Sequence, residues 1–151
     1  MKLAEALIER ADIQTKLNML KDRLVNNARV QEGTEPNENP NDLIKELNEK
    51  LNRLEYLVVH INKTNELTKL SSGETISELI AKKDMLTKKL SLLGSLFDTG
   101  TVLINRLTHT EIRIKTAFNV ADLQKQIDEV SKQIRLTDAK LQETNWLTEL
   151  M

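Results

Sequence analysis

The sequence predicts a mainly α-helical protein, built from antiparallel helical hairpins packed as a bundle with coiled-coil-like seams, plus a small two-stranded β element. Three observations support this fold class. Both prolines, Pro36 and Pro40, lie in one short segment, and the four glycines mark only three places in the chain. Between these breaks, apolar residues recur alternately three and four positions apart, as in long paired amphipathic helices. Aromatic residues make up only 3% of the chain, which suits a core of aliphatic seams.

The first half predicts one antiparallel hairpin. The first helix covers residues 2–29, and its seam is Leu3, Ala6, Arg10, Ile13, Leu17, Leu20 and Leu24. A loop over 30–41 follows, because Gly33 and the prolines disfavour helix there. The second helix covers 42–61 and is capped by Asn41 or Asp42. Its seam is Ile44, Leu47, Leu51, Leu54, Val58 and Ile61.

A short strand and turn are predicted for 62–75. The polar run Asn62–Asn65 favours bonds between side chains and nearby backbone over helix. Leu67–Leu70 is interpreted as a short strand, and Ser72-Gly73 as a turn.

The third helix covers 76–97 and begins with a capping box formed by Thr75 and Glu78. Residues 98–109 are irregular, and 110–116 alternates apolar with polar residues, which predicts a strand paired with the segment 63–70. The last helix covers 120–144, with Asn119 as its cap. The seams of these two helices are Ile76, Leu79, Lys83, Leu86, Leu90, Leu93 and Phe97, and Val120, Leu123, Ile127, Val130, Ile134, Thr137 and Leu141.

Length and charge limit the classes of function. The 151 residues fit a single domain, 1–151, and a net charge of −1 gives no reason to expect nucleic-acid binding. Glu5, Glu9 and Arg10 interrupt any apolar export signal, and no apolar stretch is long enough to span a bilayer. We therefore expect a cytoplasmic protein without a membrane partner.

The sequence contains no recognisable catalytic or metal-binding motif. Cysteine is absent, His60 and His109 are far apart in sequence, and glycine is too scarce for a phosphate-binding loop. We predict no catalytic residue, no metal and no cofactor, and no small molecule can be named. Arg10 and Lys83 occupy seam positions. Either their stems lie along the seam with their heads in water, or they are buried charges paired with Asp12, Asp84 or a glutamate of another helix.

An ordered series of short motifs resembles the septicolysin-like family of small bacterial proteins. The motifs are Arg10-Ala11-Asp12, Asn27-Ala28, Val30-Gln31-Glu32-Gly33 with Pro36 and Pro40, Ile61-Asn62-Lys63-Thr64-Asn65, Leu141-Gln142 and Asn145-Trp146. The chain has Lys63 where that family commonly has arginine, and Lys83-Asp84 where that family has an Arg-Asp pair. The resemblance implies a bacterial, mostly helical protein of undetermined role. Trp146 also matches a motif position of that family, and as the single tryptophan near the chain end it is expected to pin that end to the core or to another subunit.

From these observations we predict a non-enzymatic assembly or interaction protein that forms a homo-oligomer. Apolar residues flanking the seams offer more apolar surface than one pair of hairpins covers; these are Leu7, Ile8, Leu43, Leu57, Ile80, Leu92 and Leu96. One alternative is a ligand-binding or enzymatic protein with a polar site at the helix–loop junctions. The resemblance implies its residues, which match the motif positions: Arg10, Asn27, Gln31, Glu32, Asn62 and Asn65. A second alternative, implied by the family resemblance alone, is a membrane-active lysin.

Overall fold

The computed structural model describes residues 1–102, 112 and 114–151, and this part of the chain contains four helices. They are α1 (Leu3–Asn26), α2 (Pro40–Leu67), α3 (Ile76–Thr101) and α4 (Val120–Leu147). The chain forms two compact units. The first comprises Met1–Ile76 and Glu143–Met151, and the second comprises 77–142. The prediction of a mainly helical protein is confirmed, whereas the single-domain organisation stays a prediction.

In the first unit, α1 and α2 pack against each other as an antiparallel hairpin. Its core is aliphatic, as the composition predicted, and each such side chain contributes about 1.5–3 kcal/mol by leaving water. The fully or nearly fully buried members are Leu3, Ala4, Ala6, Ile13 and Leu20 from α1 and Leu43, Leu57 and Ile61 from α2.

α2 is longer at both ends than predicted. It begins at Pro40, because Asn39 caps it by accepting a hydrogen bond from the Asn41 amide (2.9 Å) and proline suits the first helical position. It continues through the polar run to Leu67. There, buried Thr64 donates its hydroxyl proton to the His60 carbonyl, so its side chain is satisfied within the helix.

The predicted two-stranded β element is wrong for the described residues. The segment after α2 pairs with itself, through an isolated bridge between Lys69 and Thr75 and a bond from the Leu70 amide to the Glu74 carbonyl (2.8 Å). Gly73, with φ +88°, permits this tight turn. Closing so short a loop costs less entropy than pairing with a distant segment. Residues 112 and 114–116 are irregular, and the rest of the predicted strand, including residues 110, 111 and 113, lies outside the described part.

In the second unit, α3 and α4 also run antiparallel. The ammonium of Lys83 pairs with Asp138 near one end of this hairpin. At the other end, the Thr116 hydroxyl donates to the Gly100 carbonyl (2.8 Å) shortly before α4 begins. The Asn119 side chain caps α4 by accepting from the Asp122 amide (3.1 Å), as predicted.

Candidate functional site

Four side chains form a row that connects α1 to α2: Glu9 on α1 and Arg53, Tyr56 and His60 on α2. Arg53 binds Glu9 with two parallel hydrogen bonds of 2.7 Å, and this hydrogen bonding holds the pKa of the Glu9 carboxyl below its usual value. The same guanidinium lies 5.1 Å from the centre of the Tyr56 ring. Tyr56 stacks on His60 at 3.8 Å, and His60 Nδ1 bonds to the Tyr56 carbonyl at 2.7 Å. Through the Arg53–Glu9 pair, the row joins α2 to α1.

The loop between α1 and α2 is fastened by Arg23. Its guanidinium makes two hydrogen bonds to Glu38 and a third to Glu46 at 3.0 Å. Bonding to Arg23 lowers the pKa of Glu38. The pKa of Arg23 is raised in turn, chiefly by Glu38. A fully charged three-residue network therefore joins the end of α1, the loop and the start of α2.

Asn27 completes this fastening from the buried side. It is 8% exposed and follows the last residue of α1. Its amide group donates to the Arg23 carbonyl (2.9 Å), and its oxygen accepts from the Glu38 backbone amide (3.0 Å). Both halves of the side chain are therefore engaged in holding the loop against the helix end.

The two chain ends meet at the other end of the first hairpin. The Leu3 amide donates to the Thr148 carbonyl, and the Leu150 amide donates to the Met1 carbonyl, each at 2.9 Å. Glu149 accepts from Lys2 (2.7 Å) and from the amino group of Met1 (3.2 Å), and these bonds lower its pKa. Trp146 is 52% exposed and the backbone bonds hold the segment, so Trp146 does not pin this end to the core; its contact with another subunit stays a prediction.

Arg10 is a charged residue of the first unit whose hydrogen-bonding groups are not all paired. It lies on α1 between buried Ala6 and Ile13, and its Nε is buried without a hydrogen-bond partner. Within the described residues it forms no ion pair, neither with Asp12 nor with a glutamate of another helix. A buried N–H left without a partner costs about 1–3 kcal/mol.

Beside Arg10, the hairpin presents an apolar surface that we call the open face. Seven residues share it: two on α1 that are seven positions apart, and five on α2 that fall on two adjacent stripes at heptad spacing. They are Leu17 and Leu24 on α1 and Ile44, Leu47, Leu51, Leu54 and Val58 on α2. Ile44, Leu51 and Val58 are 47%, 45% and 37% exposed, and the other four are half-buried. Large apolar side chains lined up in this way are characteristic of interaction surfaces.

The second unit offers a small apolar pocket of about 230 Å³ near the end of α3, lined by residues that include Leu96, Gly100 and Phe118. The Phe118 ring packs so closely on Gly100 that a Cβ there would lie 2.2 Å from it. Lys83, the other charged seam residue, has a partner in Asp138, which is none of the carboxylates proposed from the sequence.

The six predicted ligand-binding residues do not gather at one place. Arg10 lies midway along α1, whereas Asn27, Gln31 and Glu32 lie at the loop end of the hairpin. Asn62 and Asn65 lie near the opposite end of α2, about 33 Å and about 38 Å from its start at 1.5 Å per residue. Gln31, Glu32 and Asn62 are exposed. A ligand-binding role for these residues stays a prediction.

Sequence reasoning missed Arg23, Arg53 and their carboxylate partners, because ion pairs between helices depend on a register that periodicity does not give. It named every residue of the open face, but as buried seam. Among the described residues, no three potential ligands from histidine, aspartate and glutamate lie close enough together to hold a metal ion. None of the helices, over that same part of the chain, has the length and apolarity needed to cross a bilayer.

Comparison with known proteins identifies a family. The sequence model of the Family of unknown function (DUF6847) matches residues 10–150, so the chain belongs to that family. A solved structure, described as the crystal structure of a functionally unknown conserved protein from Corynebacterium diphtheriae, is 36% identical with a TM-score of 0.90, covering 100% of this chain and 99% of that one. No functionally curated protein matches. The septicolysin-like resemblance is therefore wrong: its short motifs do not outweigh a match along nearly the whole chain.

Proposed function

We propose that this member of the family is a non-enzymatic assembly protein that associates with itself through its first hairpin. The observation that supports the proposal is the open face, where three large aliphatic side chains of α2 are substantially exposed at heptad spacing. Helical hairpins bury such stripes against further helices, because leaving them in water forgoes roughly 25 cal/mol per Å² of apolar area.

The polar clusters of the first unit are consistent with this role. The groups of Arg23, Asn27 and Arg53 are engaged within the hairpin, in bonds that fix the loop and the register of the two helices. A rigid two-helix platform keeps its apolar surface in one shape, which lowers the entropy lost on association. The coiled-coil geometry of the seams and the cytoplasmic location stay predictions.

The decisive test is absolute molecular mass by light scattering after size exclusion. The chain has a mass of 17.3 kDa, and the proposal requires a discrete multiple of it over about 1–100 µM, the range expected for interfaces of modest size. A species that stays at 17.3 kDa throughout this range overturns self-assembly.

A ligand-binding function is the second candidate, and the unpartnered Nε of Arg10 favours it. In this case the occupant is a small anion, since a guanidinium binds carboxylates and phosphates in a two-pronged geometry. Titration calorimetry with inorganic phosphate and with acetate tests it. Heat that disappears in Arg10→Met supports the idea, and no heat with either anion removes it for these ligands.

A further inference from the structure

The open face and Arg10 together identify a partner for this surface. Building on the proposed self-assembly, we infer that the open face binds the open face of a second copy of this chain, about a two-fold axis parallel to the hairpin, and that Arg10 of each copy pairs with Glu55 of the other.

The register of the hairpin brings Arg10 level with Glu55. Glu9 on α1 bonds to Arg53 on α2, and further along Arg23 bonds to Glu46. At the near end, Met151 bonds to Thr64 where Leu3 bonds to Thr148. Because α1 and α2 run antiparallel between these cross-links, Arg10 lies level with residues 53–57 of α2, a stretch of about one helical turn.

Glu55 is the complementary charge at that height. It is exposed on the side of α2 next to Leu51 and Val58, and it has no ion pair or hydrogen bond among the described residues. Arg53, the neighbouring charge, is already occupied by Glu9. At this height the open face is therefore flanked by an unpaired cation, Arg10 on α1, and an unpaired carboxylate, Glu55 on α2.

A two-fold axis parallel to the helices makes these charges complementary. Such an axis keeps every residue at its own height and places α1 of one copy opposite α2 of the other. Arg10 then faces Glu55 of the second copy twice in the dimer, and the stripe with Leu17 and Leu24 faces the stripe with Ile44, Leu51 and Val58. All neighbouring helices are antiparallel, as in an ordinary four-helix bundle. The guanidinium of Arg10, which has no ion pair among the described residues of its own chain, gains a carboxylate partner.

The apolar part is tested by placing a charge in the centre of the face. Leu51→Glu is expected to shift the wild-type dimer to monomer across the concentration series, with unchanged helical circular dichroism. Asn52→Glu is the matched control: it adds the same charge at the next, also exposed, position outside the open face and is expected to leave the dimer intact. If Leu51→Glu remains dimeric, this interface is wrong while self-assembly stands; if the wild type is monomeric, the proposed function itself fails.

The charged part is tested by exchanging the signs. Arg10→Glu and Glu55→Arg each place two like-charge contacts in their own homodimer, so each is expected to weaken dimerisation at least about fivefold, equivalent to roughly 1 kcal/mol. Mixing the two variants restores both opposite-charge contacts. Native mass spectrometry is therefore expected to show mainly the heterodimer, at more than the statistical half. A statistical mixture overturns the Arg10–Glu55 pairing, because a contact within one chain gives no such preference.

Discussion

The bonds of Asn27 give a sharp prediction about the loop that joins α1 and α2. Asn27→Ala removes the oxygen that accepts the Glu38 amide proton at 3.0 Å, in a position that is 8% exposed. The lost bond to the Arg23 carbonyl matters less, because the Asn27 backbone amide still donates to that carbonyl at 3.1 Å. The main cost is one poorly solvated amide left without a partner, about 1–2 kcal/mol.

Thermal and urea unfolding measure this cost. For a chain of this size, about 1–2 kcal/mol corresponds to a fall in Tm of roughly 3–6 °C. Asn26→Ala is the matched control, since Asn26 is the same residue type one position earlier and is exposed. It is expected to change stability by no more than about 0.5 kcal/mol. Asn27→Asp keeps an acceptor for Glu38 but places a carboxylate beside the Arg23 carbonyl at a helix C-terminus, so it is expected to destabilise as well.

Hydrogen exchange locates the effect. In the wild type the Glu38 amide is protected by Asn27, and in Asn27→Ala it is expected to exchange faster while amides in the middle of α2 are unchanged. The reasoning is refuted if Asn27→Ala is as stable as Asn26→Ala, or if Glu38 protection is the same in both. That result would return Asn27 to the residues available for a ligand, because binding residues are commonly replaceable without loss of stability.

Two further predictions concern packing in α3 and acid stability. Gly94→Ala, with nothing within 4 Å of the new Cβ, is expected to stabilise the protein by up to about 1 kcal/mol. Gly100→Ala, where the new Cβ would lie 2.2 Å from Phe118, is expected to destabilise it by about 1–2 kcal/mol. Urea unfolding measures both variants, and equal effects contradict the packing of Phe118 on Gly100. Arg53 lowers the pKa of Glu9 in the folded chain. The stabilisation of the fold by this ion pair is therefore complete above the ordinary pKa of 4.5 and disappears as the pH falls through the lowered pKa. The urea midpoint of Glu9→Gln is therefore expected to fall less than that of the wild type between about pH 6 and pH 3, and parallel curves argue against the pair.

The helices were predictable because their signals are local. Apolar spacing and caps identified all four, and Asn119 was recognised as the cap of α4. The predicted ends of the helices were less accurate where two local signals compete. Pro40 was assigned to the loop although proline is well suited to the first position of a helix. The run Asn62–Asn65 was assigned to a strand and turn, although the helix continues there with Thr64 buried and bonded to His60.

Which stripe of α2 is buried was not predictable from its sequence, and this is where the candidate interface arises. The pattern named Ile44, Leu51 and Val58 as seam and Leu43 and Leu57 as flanking residues, yet Leu43 and Leu57 are 3% and 0% exposed while the seam residues are open. Two neighbouring stripes of a helix carry the same periodicity, so the spacing of apolar residues does not tell which stripe is buried. Together the stripes of α2 form an apolar surface wider than one partner helix covers. α1 takes one side of that surface, held there by the Arg53–Glu9 and Arg23–Glu46 bonds. The remaining side is apolar without a partner in its own hairpin, and this exposed, regularly spaced stripe is the observation on which the proposed self-association rests.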